Sequence, residues 1–418
     1  MKKEIKTVII LLLGFLIRLI LSSLPGFKAD TNAWYAWADR LVNLPLKKFY
    51  SSNIWTHYTP GYLYILWILG IIKKIFNISD PIILRQLFRL PSNVSDFLTS
   101  ILIFKIFKKK SFPWKYLGIL YFFNPVIIFN SSVWGQVDSV LTLLLLVSIY
   151  FLLNKKIEFS GLFYALAFLV KPQAVFLAPV YFLFFLKKKI FSSNKMLIKT
   201  VNFLLVFLIV GILISWPFFP KSNVFGLFKL INQMGKDYPY SGLGAFNLWQ
   251  LFEPFKKDNL LVYGVSRFNW GLLLYSFFTI IISFILWFRR KTKNKDYYLA
   301  ATIFLFIFFL FPTRIHERYL FSIFPFLLIS AGLLKSRFLI FNYLILSLFH
   351  FLNMVYIYCY YYPKNIENLT LSMSSVSPKF ISLLTIFSFF GLLLYFYNPF
   401  LFKRTKIKKE IKFLKTKP

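Results

Sequence analysis

Residues 197–217 read LIKTVNFLLVFLIVGILISWP, an apolar run whose one charge is Lys199. About 20 such residues in a helix cross the hydrocarbon core of a bilayer. Basic triplets at 108–110, 187–189 and 289–291 stand between this run and others like it. Short clusters of Lys and Arg between apolar runs are typical of cytoplasmic loops. The pattern predicts an all-α, polytopic membrane protein.

The composition supports the same class. Of 418 residues, 58% are hydrophobic and 15% are charged, a larger apolar share than a soluble domain needs. The formal net charge of +36 would suggest nucleic acid in a soluble protein. Here the cations lie in loops between apolar runs, so we expect membrane lipids as partners and no nucleic acid. The single cysteine, Cys359, excludes an internal disulfide.

The basic clusters fix the predicted cytoplasmic ends of the spans. Two stretches, 80–107 and 158–187, each run from basic cluster to basic cluster, so we expect each to be two short helices, broken at Pro91 and at Lys171-Pro172. The remaining expected spans are 7–24, 61–73, 113–132, 136–153, 197–217, 265–288, 297–312, 318–334, 338–358 and 378–400.

The predicted organisation is one transmembrane domain over residues 1–402, with about 12–14 helices in even number and both termini cytoplasmic. We interpret the first span as a retained helix, because no small-residue cleavage site follows it. Residues 403–418 form a basic cytoplasmic tail, expected to lie on anionic headgroups, with partner binding as the alternative. The localisation predicted is the plasma membrane.

Two large outer loops are expected, 25–60 and 218–262. In the first, Trp34, Trp37 and Leu41 recur at helical spacing, which predicts an amphipathic helix in the membrane interface. Asp30 stands at its start, either as a helix cap or as a catalytic carboxylate. Asp39 follows nine residues later, half a turn out of phase, so the two cannot act as an adjacent pair.

Three further polar groups mark the predicted outer side. Trp134-Gly135-Gln136-Val137-Asp138 joins two spans, as an interfacial Trp with a helix cap or as part of a site. Lys171-Pro172-Gln173 interrupts an apolar run with a cation, which either snorkels to the surface or serves function. Residues 314–318 (Arg-Ile-His-Glu-Arg) place four ionisable groups outside, against the positive-inside trend, which favours function. Arginine is suited to phosphate oxygens.

These motifs, taken in order, resemble the GT-C superfamily of membrane glycosyltransferases over about residues 10–335. The resemblance is to bacterial mannosyltransferase-like proteins, distantly akin to the dolichyl-phosphate-glucose glucosyltransferases. The matching motifs are Asp30, Tyr58-Thr59-Pro60-Gly61-Tyr62, Asn124-Pro125, Trp134-Gly135-Gln136-Val137-Asp138, Lys171-Pro172-Gln173-Ala174, Asn247-Leu248-Trp249 and His316-Glu317-Arg318-Tyr319.

The resemblance implies an outward-facing cavity, interfacial helices in the first loop, and a polyprenyl-phosphate-linked sugar as donor. The acceptor would be a glycan, a lipid-linked glycan, a lipid or a protein. Asp30 would be the catalytic base of an inverting transfer. Arg318, with Arg314, His316 and Lys171, would stabilise the lipid phosphate. The full set expected to bind substrate is Asp39, His57, Tyr58, Trp134, Gln136, Asp138, Lys171, Gln173, Arg314, His316, Glu317 and Arg318.

The chain departs from the family pattern at two positions. Thr59-Pro60 stands where two prolines are common, and Asp30-Thr31-Asn32 is no Asp-x-Asp pair, which favours a reaction without a metal or other cofactor. Two alternative functions stay open: a transporter or flippase of lipid-linked glycan, and a glycan polymerase or ligase.

Overall fold

The computed structural model describes residues 2–50, 55–56, 58–108, 114–190, 195–221, 223–289, 292–362 and 372–398. Its helices are α1 (Lys2–Leu21), α2 (Lys28–Asn43), α3 (Pro60–Ile75), α4 (Pro81–Phe107), α5 (Leu117–Phe122), α6 (Pro125–Ile128), α7 (Asp138–Leu153), α8 (Ile157–Val170), α9 (Ala178–Ile190), α10 (Lys195–Ser215), α11 (Asn223–Lys236), α12 (Leu248–Leu251), α13 (Arg267–Phe288), α14 (Asn294–Leu310), α15 (Ile323–Leu334), α16 (Arg337–Tyr361) and α17 (Pro378–Tyr397).

Shorter elements connect these helices. They are 3-10 turns at Leu46–Lys48, Trp114–Tyr116, Pro172–Leu177 and Glu317–Leu320, a π turn at Phe129–Trp134, and an antiparallel hairpin that pairs Leu261–Val262 with Val265–Ser266. The predicted all-α class is confirmed.

Six helices of the described ranges are long and apolar enough to cross a membrane on length and composition: Pro81–Phe107, Met196–Ser215, Arg267–Phe288, Glu317–Leu334, Arg337–Tyr361 and Pro378–Tyr397. Their positions explain how apolar surface is distributed. On α10, Leu204, Leu208 and Leu213 are each more than half exposed, as expected of a helix that faces lipid. By contrast, every residue of α14 from Asp296 onward is buried, so α14 forms the centre of the bundle. The chain is an integral membrane protein.

α1 and α4 define the two ends of the bundle. They run antiparallel, because the Gln86 side chain donates to the Leu19 carbonyl at one end while Phe15 packs on Phe97 lower down. The end of the bundle that carries Leu21 and the start of α4 is called the upper face below, and the end that carries Phe107 is called the lower face.

The expected break at Pro91 is wrong: α4 runs through it as one helix. Polar side chains that follow Pro91 are buried and bonded to neighbouring segments. Ser92 donates to the Gln136 carbonyl (2.6 Å), and Asn93 donates to the Ser22 hydroxyl (2.9 Å). Such partners make a proline tolerable within a membrane helix. Arg89, which a break at Pro91 would place at the end of a helix, is buried inside the bundle.

The expected return of residues 61–73 to the opposite face is also wrong. α3 ends at Ile75, and α4 begins at Pro81 on the upper face, so both ends of the short link lie there. Lys73 pairs with Asp39 of α2 (2.7 Å), and Gly70 packs against the Ala38 backbone. The first loop of the upper face therefore contains both α2 and α3, and it extends past residue 60 to about residue 80.

The next pass back to the upper face is segmented. It starts with α5, is interrupted at Asn124-Pro125, and continues through α6 and the π turn. The Asn124 side chain accepts from the Val126 N–H, so the residue caps the new helix across the break. Gly135 then takes a left-handed conformation (φ +90°) and the chain reverses into α7.

The break predicted at Lys171-Pro172 is confirmed. α8 ends at Val170, a 3-10 turn follows, and α9 returns with Tyr181 packed on Tyr164 of α8 (4.3 Å between ring centroids). At the lower end of α9, Lys187 donates to the carbonyls of Leu286 and Arg289. The basic positions 187 and 289 thus share the lower face, as the charge pattern predicts.

Between α10 and α13 the chain forms a large loop on the upper face, which contains α11, α12 and the hairpin. Its inner part is fixed by buried polar residues: Asn247 caps α12, and its amide donates to the Phe309 carbonyl. The hairpin tip is exposed at Tyr263. The predicted tail, 403–418, lies outside the described residues.

Candidate active site

Asp30 lies in the first turn of α2, on the upper face, and is partly buried. It does not cap its helix, because the N-cap position is Phe27 and no side chain caps there. Instead, Oδ2 accepts hydrogen bonds from Trp134 Nε1 (3.1 Å) and from Gln136 Nε2. Oδ1 makes no hydrogen bond with the described part of the chain. Among the described residues, one carboxylate oxygen is thus held by two hydrogen bonds and the other by none.

The Trp134–Asp138 turn supplies both donors to Asp30. Its shape follows from Gly135, whose N–H, like that of Gln136, donates to the Asn130 carbonyl. Trp134 is 1% exposed and stacks on Phe27 (4.7 Å). An interfacial tryptophan is therefore wrong for this residue, since its indole is enclosed by protein and directed at Asp30.

Asp138 follows at the start of α7 and forms a buried ion pair. Lys171 Nζ is 2.7 Å from its Oδ1, and both side chains are at most 8% exposed. The snorkelling lysine and the simple helix cap are therefore both wrong. Arg318 Nε approaches the other oxygen, Oδ2, at 3.9 Å. Within the described ranges, neither Arg318 Nε nor Asp138 Oδ2 has a hydrogen-bond partner. Buried polar atoms without partners are what a site built to receive a ligand would show.

Residues 316–319 form one wall of the cluster. Glu317 is buried, and its carboxylate pairs with Arg318 (2.9 Å) and lies 3.8 Å from His316 Nδ1. Because His316 pairs by backbone with Leu243 and Gly244, the large upper loop fixes this segment.

Aromatic rings enclose the cations. Lys171 Nζ lies 6.0 Å from the Tyr58 ring and 5.7 Å from the Tyr319 ring. Gln173 lines a small cavity with Asp138 and Tyr319. Asp30 also interacts electrostatically with this group, including Tyr58, Lys171 and Arg318. The predicted residues thus converge: three acids, two cations and several aromatic rings share the upper face.

Burial alters the titration of two loop residues. It lowers the pKa of His316 below the ordinary 6.5, helped by the Arg318 guanidinium and opposed by Glu317. Burial also raises the pKa of Tyr58 well above its ordinary value, while Arg318 opposes the rise. At neutral pH the imidazole is uncharged and the phenol keeps its proton, so neither adds charge to the cluster.

Two predicted residues are not in the cluster. Asp39 lies near the other end of α2 in its ion pair with Lys73, where its side chain is half exposed. Arg314 has a left-handed backbone (φ +66°), and its guanidinium is committed to Asp258 (2.7 Å) of the large upper loop. A third residue, His57, lies outside the described residues.

Sequence reasoning missed two buried arginines. Arg18 pairs with Asp96 (2.9 Å) inside the bundle, where Tyr121 also donates to the carboxylate. Arg89 of α4 lies behind the Trp134–Asp138 turn and donates to three backbone carbonyls. The available signal was a charge inside an apolar run, but the assumed break at Pro91 placed Arg89 at a helix end.

Among the described side chains, no three of His, Cys, Asp or Glu are grouped so as to hold a metal ion. The expectation of a reaction without a metal stays a prediction.

The fold and the site together describe a helical membrane protein with a buried cluster of acids and cations at one face. The family model for glycosyltransferase family 87 matches residues 55–312, more than half of the 418-residue chain. The chain belongs to glycosyltransferase family 87, a GT-C-like family of membrane glycosyltransferases. Comparison with curated proteins finds no match. The matched range includes the Trp134–Asp138 turn and Lys171, and it excludes Asp30 and Arg318.

Proposed function

We propose that this glycosyltransferase moves a hexose, mannose being the first candidate, from a polyprenyl-phosphate carrier to a glycan, lipid or protein acceptor. The reaction takes place at the upper face, which we assign to the outside of the plasma membrane, with both termini in the cytoplasm. The position of the cluster supports this, because a lipid carrier holds its phosphate at the membrane surface while its chain stays in the bilayer.

Asp30 is the proposed general base. Its Oδ1 takes the proton of an acceptor hydroxyl, and the hydroxyl oxygen attacks the anomeric carbon of the donor sugar. The bond from that carbon to the phosphate oxygen breaks, and the electron pair leaves with the lipid phosphate. Attack from the side opposite the leaving group inverts the anomeric configuration.

Arg318 and Lys171 are the proposed partners of the leaving phosphate. Both are held in place by carboxylates, Arg318 by Glu317 and Lys171 by Asp138. Preorganised cations stabilise the charge that develops on the leaving oxygen without having to reorient during the reaction. Arg318 Nε, which has no hydrogen-bond partner among the described residues, is a donor that such an oxygen would accept from.

One observation carries the proposal: of the three cluster carboxylates, Asp138 and Glu317 form close ion pairs, whereas Asp30 accepts from neutral donors. Asp138 is neutralised by Lys171 and buried, whereas the hydrogen bonds of Asp30 to described residues come from the neutral donors Trp134 and Gln136 and leave Oδ1 without a partner among them. A carboxylate without a paired cation is the better proton acceptor.

The test uses the purified protein in detergent with polyprenyl-phosphate mannose or glucose and a panel of acceptors. Asp30→Asn should fold and lose at least about 100-fold in transfer, since general base catalysis contributes roughly that much. Asp80→Asn is the matched control, because Asp80 lies outside the cluster and caps α4, and asparagine caps equally well. We expect transfer to persist in EDTA.

Wild-type transfer by Asp30→Asn would remove this residue from the role of base. Movement of a lipid-linked glycan across the membrane of reconstituted vesicles, without formation of a glycosidic bond, would favour the flippase alternative. Growth of a polymer from a lipid-linked glycan would favour the polymerase or ligase.

A further inference from the structure

Arg89 is a buried cation for which the described part of the chain supplies no carboxylate. It is 1% exposed, and its Nη2 has no hydrogen-bond partner within the described ranges. Burying a charge without an opposite charge is costly. In a bundle this apolar, Leu or Met at the same position would avoid that cost, so we expect the arginine to have a role that neither could fill.

The contacts of Arg89 show which parts of the chain it joins. Its Nη1 donates to the carbonyls of Ser22 (2.8 Å) and Leu24 (2.8 Å), and to that of Ser132 (3.1 Å). The first two belong to the link between α1 and α2, and the third belongs to the π turn. A single guanidinium nitrogen therefore holds two segments that are far apart in sequence.

Two glycines let the backbone approach the guanidinium. Gly26 (φ +69°) and Gly135 (φ +90°) both have left-handed conformations, and both pack against Arg89. A methyl group at Gly26 would overlap Nη2, and one at Gly135 would meet Nε at 2.8 Å. Both left-handed turns thus close around the same side chain.

Each joined segment carries one half of the Asp30 arrangement. Gly26 lies four residues before Asp30, and Ser132 lies two residues before Trp134 and four before Gln136, which donate to its Oδ2. Arg89 therefore binds the segment before the carboxylate and the segment before its donors.

We propose that Arg89 is a positioning residue that keeps Asp30 within hydrogen-bonding distance of Trp134 and Gln136. This rests on the proposed role of Asp30 as base. Without Arg89 the start of α2 keeps its apolar packing but loses its fixed relation to the Trp134–Asp138 turn. The base then reaches the acceptor hydroxyl less often, so the catalytic rate falls while donor binding is retained.

The experiment compares Arg89→Met with Arg40→Met. Arg40 is the matched control, because its guanidinium also binds backbone carbonyls, those of Lys48 and Phe49, but beyond the far end of α2. We expect kcat per folded molecule to fall about 100-fold in Arg89→Met, the loss that a misplacement of ~1 Å can cause, with KM for the polyprenyl-phosphate sugar nearly unchanged. Arg40→Met should keep both constants.

Arg89→Lys should recover part of kcat, because an ammonium group has three N–H donors for the three carbonyls. If Arg89→Met does not fold, Arg89→Lys decides the question, with kcat expected between wild type and inactivity. Wild-type kcat in folded Arg89→Met, or in Arg89→Lys where that is the variant that folds, would overturn the proposal.

A second readout needs no transfer activity. Spin labels at Lys28 and Tyr263, both exposed, in a Cys359→Ser background report the distance from the start of α2 to the hairpin tip. We expect a broader distance distribution in Arg89→Met than in wild type or Arg40→Met. An unchanged distribution would overturn the positioning role. Absence of transfer in the wild-type protein, with the broadening present, would instead refute only the proposed donor or acceptor.

Discussion

At the residue scale, the ion pair of Lys171 and Asp138 allows stability to be tested separately from the proposed role of Lys171 in phosphate binding. Both side chains are almost fully buried and 2.7 Å apart. Lys171→Met would leave the Asp138 charge buried with only the more distant Arg318 (3.9 Å) to compensate it. We expect unfolding in detergent to become easier by about 3 kcal/mol, the usual cost of breaking such a pair.

The double variant Lys171→Met with Asp138→Asn separates the two roles. It removes both charges, so we expect most of the stability to return while transfer stays low. Thermal unfolding followed by circular dichroism and a transfer assay on the same samples measure the two effects. Recovery of transfer along with stability would show that Lys171 has no part in phosphate binding.

His316 predicts a pH dependence with a defined sign. Its folded pKa is below the ordinary 6.5, so the unfolded chain binds more protons than the folded chain as the pH falls through that value. Stability is therefore present above about pH 6.5 and is lost progressively below it. Replacing His316 by Gln should remove this part of the loss, as measured by unfolding temperatures at pH 7.5 and 5.5. Equal losses in the two proteins would contradict the pKa direction.

At the scale of elements, two arginines four residues apart serve different structures. Arg314 holds the large upper loop through Asp258, whereas Arg318 faces Asp138 in the cluster. We expect Arg314→Gln to loosen the loop and to speed tryptic cleavage at Lys256 and Lys257, with donor binding kept. Arg318→Gln should leave the cleavage rate unchanged and lose transfer.

These paired variants test the sequence hypothesis that both arginines bind phosphate. Loss of donor affinity in Arg314→Gln without faster cleavage would restore Arg314 to the substrate site. The same substitution at both positions removes one guanidinium each time, so side-chain chemistry is matched and only the location differs.

At the scale of the whole molecule, the path of the first loop is open to direct measurement. Single cysteines at Lys28, Asn77, Lys155 and Lys335, all exposed, can be introduced in a Cys359→Ser background. Lys28 and Asn77 should react with an impermeant maleimide in intact cells, and Lys155 and Lys335 only after permeabilisation. Reaction of Asn77 together with Lys155 would mean that α3 crosses the membrane.

Properties that repeat along the chain could be predicted from the sequence. The apolar runs and the basic clusters established a polytopic helical protein, and Lys171-Pro172 marked a true break, because a proline next to a charge leaves no uninterrupted apolar helix there. The scarcity of acids also pointed to Asp30, Asp138 and Glu317, three carboxylates of the cluster. These inferences depend on local composition, which each residue carries with it.

Only the tertiary structure decided which charges meet. Asp30 accepts a hydrogen bond from Gln136, 106 positions away, and Arg314 donates to Asp258, 56 positions before it. Asp39 and Lys73 form an ion pair on the upper face, so the lysine does not mark a crossing to the lower face. Whether a buried charge ends a helix, pairs, or holds two loops together depends on neighbours brought by folding. That dependence is why the contacts of Arg89 and the continuity of α4 could not be predicted from local sequence.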